Sequence, residues 1–372
     1  MERDVDQTDL PARLPPRIAV AVPVRDEEDL IPACVSALGR QAGAPMFDLV
    51  LLMNNTTDRS AQAARDAAVG LPLRLTILEH DFPLAEQTAG HARRLAMQAA
   101  AELCGPEGVV MCTDADGRVA PDWIAANLAH IRGGADAVAG RALLDPADAA
   151  AIPAALHDAD ARECAYAAVL DRIATLVDSD PADPWPRHTE HSGASICVTW
   201  AAWDRAGGIP TVSIGEDRAF FQALHRVDAR IRHAPDVSVT VSGRIAGRAR
   251  GGMADTIRRR MTAPDPFVDD ALEPALDRVR RLRIRQRLRR ARLDAALLPD
   301  LAGELGWPLQ RLAGVAGGTF GASWEALEQG CASLVQRPVP TAELEMELAR
   351  AERILNGLLR ADAPSEVLEA AD

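Results

Sequence analysis

The chain has no lysine; all 41 of its cationic side chains are arginine. Chemistry that needs an amine is therefore excluded, including Schiff bases and the phosphate-cradling Gly-x-x-x-x-Gly-Lys loop. No Gly-x-Gly-x-x-Gly follows the first apolar run, so the dinucleotide-binding fingerprint is missing too. The six cysteines (Cys34, Cys104, Cys112, Cys164, Cys197 and Cys331) form no Cys-x-x-Cys pair. Scattered and mostly set in apolar runs, they read as buried free thiols in a reducing compartment. No apolar run approaches the length of a bilayer span, and Met1 to Pro16 is polar and acidic, without the pattern of a signal peptide. The expectation is a cytoplasmic protein. A net charge of −13 over 372 residues argues against a general nucleic-acid binder.

What is present is an ordinary globular mixture, 48% apolar and 26% charged, long enough for two domains. Its focal stretch is Val109-Val110-Met111-Cys112-Thr113-Asp114-Ala115-Asp116-Gly117. An apolar run stopped by two acids and a glycine reads as a buried strand ending in a tight turn. Two carboxylates at a strand end repel each other and call for a cation, and a hard divalent ion suits oxygen ligands. A plain β-turn is the other reading.

Strands are expected over 17–24, 47–53, 73–78 and 109–113, each followed by a polar cluster and then a helix. The helix after Arg25-Asp26-Glu27-Glu28-Asp29 is expected to carry acids in its first turn, and Pro121-Asp122-Trp123 to start another. Further strands are expected over 135–142 and 196–200, then two short ones near 229–233 and 237–241. This alternation implies an α/β fold with a mainly parallel sheet, helices on both faces and strand ends lining one crevice. From about Met253 onward the chain reads as helical. The expected division is a loose leader over 1–16, an α/β domain over 17–250 and a C-terminal helical region over 251–372.

Five stretches, in order, resemble the family-2 glycosyltransferases of the GT-A fold, a Rossmann-like architecture. Pro23-Val24-Arg25-Asp26-Glu27 is similar to the family's Pro-x-x-Asn-Glu, with Asp26 in place of Asn. Asn54-Asn55-Thr56-Thr57-Asp58 resembles its Asp-Gly-Ser-Thr-Asp loop, with Asn54 in place of the first Asp. Ala92-Arg93-Arg94 stands where members carry Ala-Arg-Asn. Asp114-Ala115-Asp116 matches the Asp-x-Asp motif, and Gly215-Glu216-Asp217 the Glu-Asp motif of the acceptor half. The likeness spans about residues 17–245.

The resemblance implies transfer of a sugar from a nucleoside-diphosphate sugar, UDP-sugar first and GDP-sugar second, to a hydroxyl acceptor. Pro23, Asp26, Glu27, Asn54 and Asp58 would contact the nucleoside, with helix capping as the alternative role for Asp58. Arg93 would face the diphosphate. Asp114 and Asp116 would hold Mg²⁺ or Mn²⁺, with Asp114 also toward the donor. Asp217 would be the general base of an inverting transfer. His191, Gly193 and Glu216 would lie on the acceptor side. His233 is either an extra metal ligand, as a histidine is in some members, or a satisfied strand-end histidine. The order His188-x-Glu190-His191 is not the helical zinc motif His-Glu-x-x-His.

Arg278 to Arg292 holds nine arginines and no acid; its +9 against −22 for the rest makes the net −13. Docking on the chain's own acidic surface, or on a second copy as a homodimer, is the favoured expectation. Peripheral contact with the inner membrane face is the alternative, disfavoured by a thin apolar stripe. Two rivals to the transferase are a non-catalytic nucleotide-sugar-binding scaffold of the same fold and a haloacid-dehalogenase-like phosphatase. The phosphatase's early nucleophilic strand and its lysine are both missing.

Overall fold

The computed structural model describes residues 17–212, 214–244, 247 and 252–362. The expected leader over 1–16 and the boundary near 250 lie outside the described residues. In chain order the elements are β1 (Ile18–Val24), α1 (Ile31–Gly39), β2 (Phe47–Asn54), α2 (Ser60–Ala68), β3 (Leu73–His80), α3 (Ala89–Cys104), β4 (Val109–Cys112) and β5 (Arg118–Val119). There follow α4 (Trp123–Arg132), β6 (Ala137–Leu144), α5 (Pro146–Ala149), α6 (Ala154–Val177), β7 (Ile196–Thr199), α7 (Trp200–Ala206), α8 (Glu216–Arg226) and β8 (Ile231–Val241). The C-terminal part is helical: α9 (Met253–Thr262), α10 (Ala275–Leu293), α11 (Leu298–Leu305), α12 (Leu309–Ala316), α13 (Phe320–Gly330) and α14 (Leu344–Asp362).

The strands form one mixed sheet in the order β3-β2-β1-β4-β7-β6-β8-β5. β3, β2, β1 and β4 run parallel, β7 is antiparallel to both its neighbours, and β6 and β8 are parallel. Because both faces are covered, β1 is apolar throughout rather than alternating with polar residues. Its Val20, Val22 and Val24 pack with α1 and α4, while Ala19 and Ala21 face α3. On α3, Ala92, Ala96 and Ala100 make a small-residue stripe at helical spacing, buried against those alanines.

Two expectations change. The strands near 229–233 and 237–241 are one strand, β8, because Pro235 sits opposite a register break in β6 between Ala139 and Arg141. A proline lacks the ladder N–H, and an irregularity in the pairing accommodates it. The acids expected in the first turn of α1 precede that helix, which opens at Ile31 with Pro32 in its first positions.

The C-terminal helices are packed on α6. Tyr166, Leu170, Ile173 and Val177 bury against Leu272, Val279 and Leu282 of the α10 region and against Leu344 and Ala351 of α14. The other end of α10 places Ile284, Leu288 and Ala291 among Leu301, Leu305, Trp307, Leu312 and Leu327. The arginine block is docked on its own chain. Arg285 and Arg289 pair with buried Asp178, Arg278 and Arg281 with buried Glu273, and the Arg289 guanidinium lies 4.0 Å from the Phe320 ring centre. No described helix is long and apolar enough to cross a membrane.

Candidate active site

β1 has β2 on one side and β4 on the other, so the loops leaving β1 and β4 diverge. Such a switch point opens a crevice at the carboxyl ends of the strands, where ligands of α/β sheets bind. Three of the sequence-derived stretches meet at this end.

The loops after β1 and β2 are laced together by their own acids. Asp26 has a left-handed backbone (φ 51°), and its Oδ1 accepts hydrogen bonds from the Thr57 N–H at 2.7 Å and the Thr57 hydroxyl at 3.2 Å. Asp58 accepts from the Ser60 N–H and hydroxyl through Oδ1 and from the Glu28 N–H through Oδ2. Asp58 therefore ties the entry of α2 to the β1 loop. The Glu27 N–H donates to the Ser60 hydroxyl at 2.7 Å. Pro23 lies within β1, in register with Leu52. Asn54 ends β2 and is buried, and its Oδ1 has no hydrogen-bond partner among the described residues. A buried polar atom without a partner is costly, and a ligand's donor would relieve it.

After β4 the chain turns sharply, with the Gly117 N–H donating to the Asp114 carbonyl at 3.0 Å. A Cβ at Gly117 would meet that carbonyl, Val239 and Thr113 at 3.1–3.2 Å. Asp114 and Asp116 both reach the crevice. Burial, and then the charge of Asp114, pushes the Asp116 carboxyl up to about 6, while Arg244 acts in the opposite sense. Arg244, just beyond β8, holds Glu27 through both carboxylate oxygens and lies 3.3 Å from Asp116 Oδ2.

The two acids suit Mg²⁺ or Mn²⁺. Their oxygens are hard, they repel each other, and Asp114 Oδ2 makes no hydrogen bond among the described residues. Among the described residues no group of three or more His, Cys, Asp or Glu side chains could hold a metal. The remaining coordination positions would fall to phosphate oxygens and water.

Arg93 is the hub between the two halves. It is buried, with Nε donating to Glu216 at 3.0 Å, Nη2 to Asp114 at 2.9 Å and Nη1 to the Gly193 carbonyl at 2.7 Å and to Cys112 Sγ at 3.2 Å. Burial works against its charge, but Asp114, Cys112 and Glu216 outweigh it and hold the guanidinium protonated. Gly193 is there because nothing larger fits: a Cβ would lie 2.3 Å from the Arg93 Cζ. Gly90 likewise lets α3 approach α8, with Glu216 only 3.1 Å from where its Cβ would be.

Asp217 stands in the first turn of α8 beside Glu216. Its Oδ2 accepts from the Gly193 N–H at 3.0 Å and its Oδ1 from the Arg218 N–H at 2.8 Å. Burial raises its pKa above the ordinary carboxylate value, and the nearby Arg93 only partly offsets this. One residue, Gly193, thus touches Arg93 through its carbonyl and Asp217 through its N–H. His191 precedes it by two residues and stacks on Phe221 of α8 (ring centres 4.5 Å apart, planes 12°). His233 has both ring nitrogens engaged, Nδ1 with buried Asp183 at 2.7 Å and Nε2 with His191 at 2.9 Å. The satisfied reading of that histidine fits this geometry, and the metal-ligand reading does not.

Residues 19–180 match the profile of the glycosyl transferase family 2. Over this stretch the chain is similar to members of that family. The match includes the loops after β1 and β2, Arg93, Asp114 and Asp116; His191, Gly193, Glu216 and Asp217 lie beyond it. No curated protein matches the chain significantly. Among solved structures the chain is similar to Staphylococcus aureus TarS 1-349 in complex with UDP-GlcNAc, at 16% identity and a TM-score of 0.46, over 84% of this chain and 90% of that one. It is also similar to the mannosyltransferase PcManGT of Pyrobaculum calidifontis in complex with GDP-Man and Mn²⁺, at 19% identity and 0.44, over 86% and 89%. A third is glucosyl-3-phosphoglycerate synthase of Mycobacterium tuberculosis with Mg²⁺ and UDP, at 14% and 0.38, over 67% and 79%. The family's GT-A fold agrees with the sheet described above.

Sequence reasoning did not find Arg244, Asp183 or the buried network of Arg93. Arg244 belongs to no motif and reaches Glu27 and Asp116 only because β8 ends beside β4's turn. Arg93 itself was marked by Ala92-Arg93-Arg94, on the helix whose small-residue stripe packs close to the sheet, but its four partners had no local signal.

Proposed function

We propose that this glycosyltransferase moves a sugar from a nucleoside-diphosphate sugar, with a UDP-sugar favoured, to a hydroxyl acceptor with inversion. The observation that carries the reading is the Gly193 peptide, which connects the donor-side pair Arg93–Asp114 to Asp217. In this reading residues 17–250 form the transferase domain. The nucleoside rests on Pro23, Asp26, Glu27, Asn54 and Asp58, of which Asn54 keeps a buried Oδ1 without a partner among the described residues.

Asp114 and Asp116 would hold Mg²⁺ or Mn²⁺, which when bound supplies Lewis-acid stabilisation to the leaving diphosphate. Four of the five N–H groups of Arg93 meet protein acceptors, so its main part is to fix Asp114 and Glu216. Asp217 takes the proton of the acceptor hydroxyl as that oxygen attacks the anomeric carbon. The bond from that carbon to the diphosphate oxygen breaks on the opposite face, and the electron pair leaves with the nucleoside diphosphate. The burial that raises the Asp217 pKa makes it a better proton acceptor than a surface carboxylate. His191, Gly193 and Glu216 shape the acceptor side.

The deciding experiment is a thermal-shift screen of UDP, GDP and their sugars with and without Mn²⁺, followed by nucleotide-release assays. Stabilisation by a nucleotide sugar with Mn²⁺ and measurable release are expected. Stabilisation without any release would favour a binding scaffold, and no stabilisation by any nucleotide would overturn the reading.

A further inference from the structure

Behind Gly193, outside the donor crevice, lies a group of buried ionisable side chains that the transfer step does not use. Asp183 is its centre. Its Oδ1 accepts from the His233 backbone N–H at 2.9 Å and from Arg232 Nη1 at 3.1 Å. Its Oδ2 accepts from His233 Nδ1 at 2.7 Å and pairs with Arg187 Nε at 3.1 Å. An ionised carboxylate can only accept, so His233 carries its proton on Nδ1. Arg187 Nη2, 3.5 Å from that nitrogen, is too far to compete.

The tautomer of one ring then dictates that of the next. His233 Nε2 is left as a lone pair, and it faces His191 Nε2 at 2.9 Å. Two lone pairs cannot meet at that distance, so His191 carries its proton on Nε2 and points it inward. The other ring nitrogen, Nδ1, makes no hydrogen bond among the described residues and is not among their walled-off polar atoms. The ring is held in place by its stack on Phe221, which is one helical turn beyond Asp217 on α8. It is also two residues from Gly193, whose N–H orients Asp217.

We infer that Asp183 and His233 are positioning residues that lock His191 in the Nε2–H tautomer, so that its Nδ1 lone pair receives a hydroxyl of the acceptor beside Asp217. The inference rests on the reading of this half of the crevice as the acceptor side. It deepens that reading by naming the acceptor chemistry. A lone pair accepts from O–H and repels the oxygens of a phosphate or carboxylate, so this contact selects a neutral hydroxyl rather than an anionic group. Burial among Arg187, Arg232, His188, His225 and Arg218 holds both imidazoles well below their ordinary pKa, so no second proton reverses the preference at neutral pH.

Long-range ¹H–¹⁵N imidazole spectra of the full chain at pH 7 test this, with the His191 signals assigned from their loss in His191→Gln. The expected result is His233 in the Nδ1–H form and His191 in the Nε2–H form. Glycerol, as a simple polyhydroxyl probe, should then shift the His191 Nδ1 resonance, while inorganic sulfate, an anion without an O–H at this pH, should not at the same concentration. In His233→Phe the His191 signals should move to the averaged values of a freely exchanging ring. A His191 in the Nδ1–H or cationic form, a sulfate shift in place of a glycerol shift, or no glycerol shift at all would overturn the proposal. The wild-type spectra decide the matter even where His233→Phe fails to fold. Because tautomers are read without any sugar transfer, this result is separate from the fate of the transferase reading.

Discussion

The guanidinium of Arg93 and the carbonyl of Gly193 are joined by a 2.7 Å hydrogen bond, in a space that leaves no room for a Cβ on the glycine. The same glycine donates its N–H to Asp217, and the same guanidinium holds Asp114 and Glu216. Asp114, Glu216 and Asp217 are therefore all positioned through the pair Arg93–Gly193.

Gly193→Ala forces Arg93 out of its place. Overpacking of this kind costs about 1–3 kcal/mol, to be read from urea denaturation. Nucleotide release should fall on the order of a hundredfold, as expected when a small misplacement disturbs catalytic geometry. Wild-type turnover in this variant would refute the shared-contact account.

Arg93→Met leaves Asp114 and Glu216 without their buried cation. Removing one member of a buried ion pair costs roughly 3–5 kcal/mol, so the loss of stability should exceed that of Gly193→Ala. Arg93→Lys should recover little, because an ammonium cannot serve four acceptors around a planar fork.

Asp217→Asn retains the shape that meets the Gly193 N–H but cannot take a proton. Turnover is expected to fall by about 10²–10⁴ with nucleotide binding unchanged, measured by nucleotide release and by calorimetry. The stability profile carries a second signature. The folded pKa of Asp217 lies above its ordinary value, so the folded chain binds the extra proton and the unfolded chain does not. Stability contributed by that proton is present at low pH and is lost as pH rises from the ordinary carboxylate value through the folded one. The difference in melting temperature between wild type and Asp217→Asn should show this slope across that window, and a flat difference would contradict it.

Arg244→Ala removes a positive charge 3.3 Å from Asp116. With that charge gone, Mn²⁺ should bind the nucleotide-free protein on the order of tenfold more tightly, about 1.4 kcal/mol, as measured by titration against the free-Mn²⁺ electron paramagnetic resonance signal. Unchanged or weaker binding would show that Arg244 does not compete with a cation at this site.

The sheet, the helices on both its faces and the position of the crevice were legible because strands with both faces buried are near-continuous apolar runs. Their ends are marked by polar residues such as Asp26, Asn54 and Asp114. The Asp-x-Asp and Glu-Asp pairs were legible for the same reason, as local patterns with local consequences. What was not legible depends on distant segments meeting. Asp58 reads as a cap or a ligand contact, and only the fold shows Glu28 donating to it; Arg93 reads as a phosphate contact, and only the fold shows Cys112, Asp114, Gly193 and Glu216 around it. Likewise Asp236 and Pro235 look like a strand break, yet the irregularity falls within a single continuous strand.

The packing of α6 against α10 and α14 has a practical consequence for where this protein can be cut. Tyr166, Leu170, Ile173 and Val177 precede the end of the family-matched segment, yet among the described residues the apolar cluster on their face of α6 is completed by Val268 and residues after it. A fragment ending at 250 would carry that face into water, together with the unpaired carboxylate of Asp178. Such a fragment should be recovered from expression as aggregate, while co-expression with the missing C-terminal piece should return it to the soluble fraction.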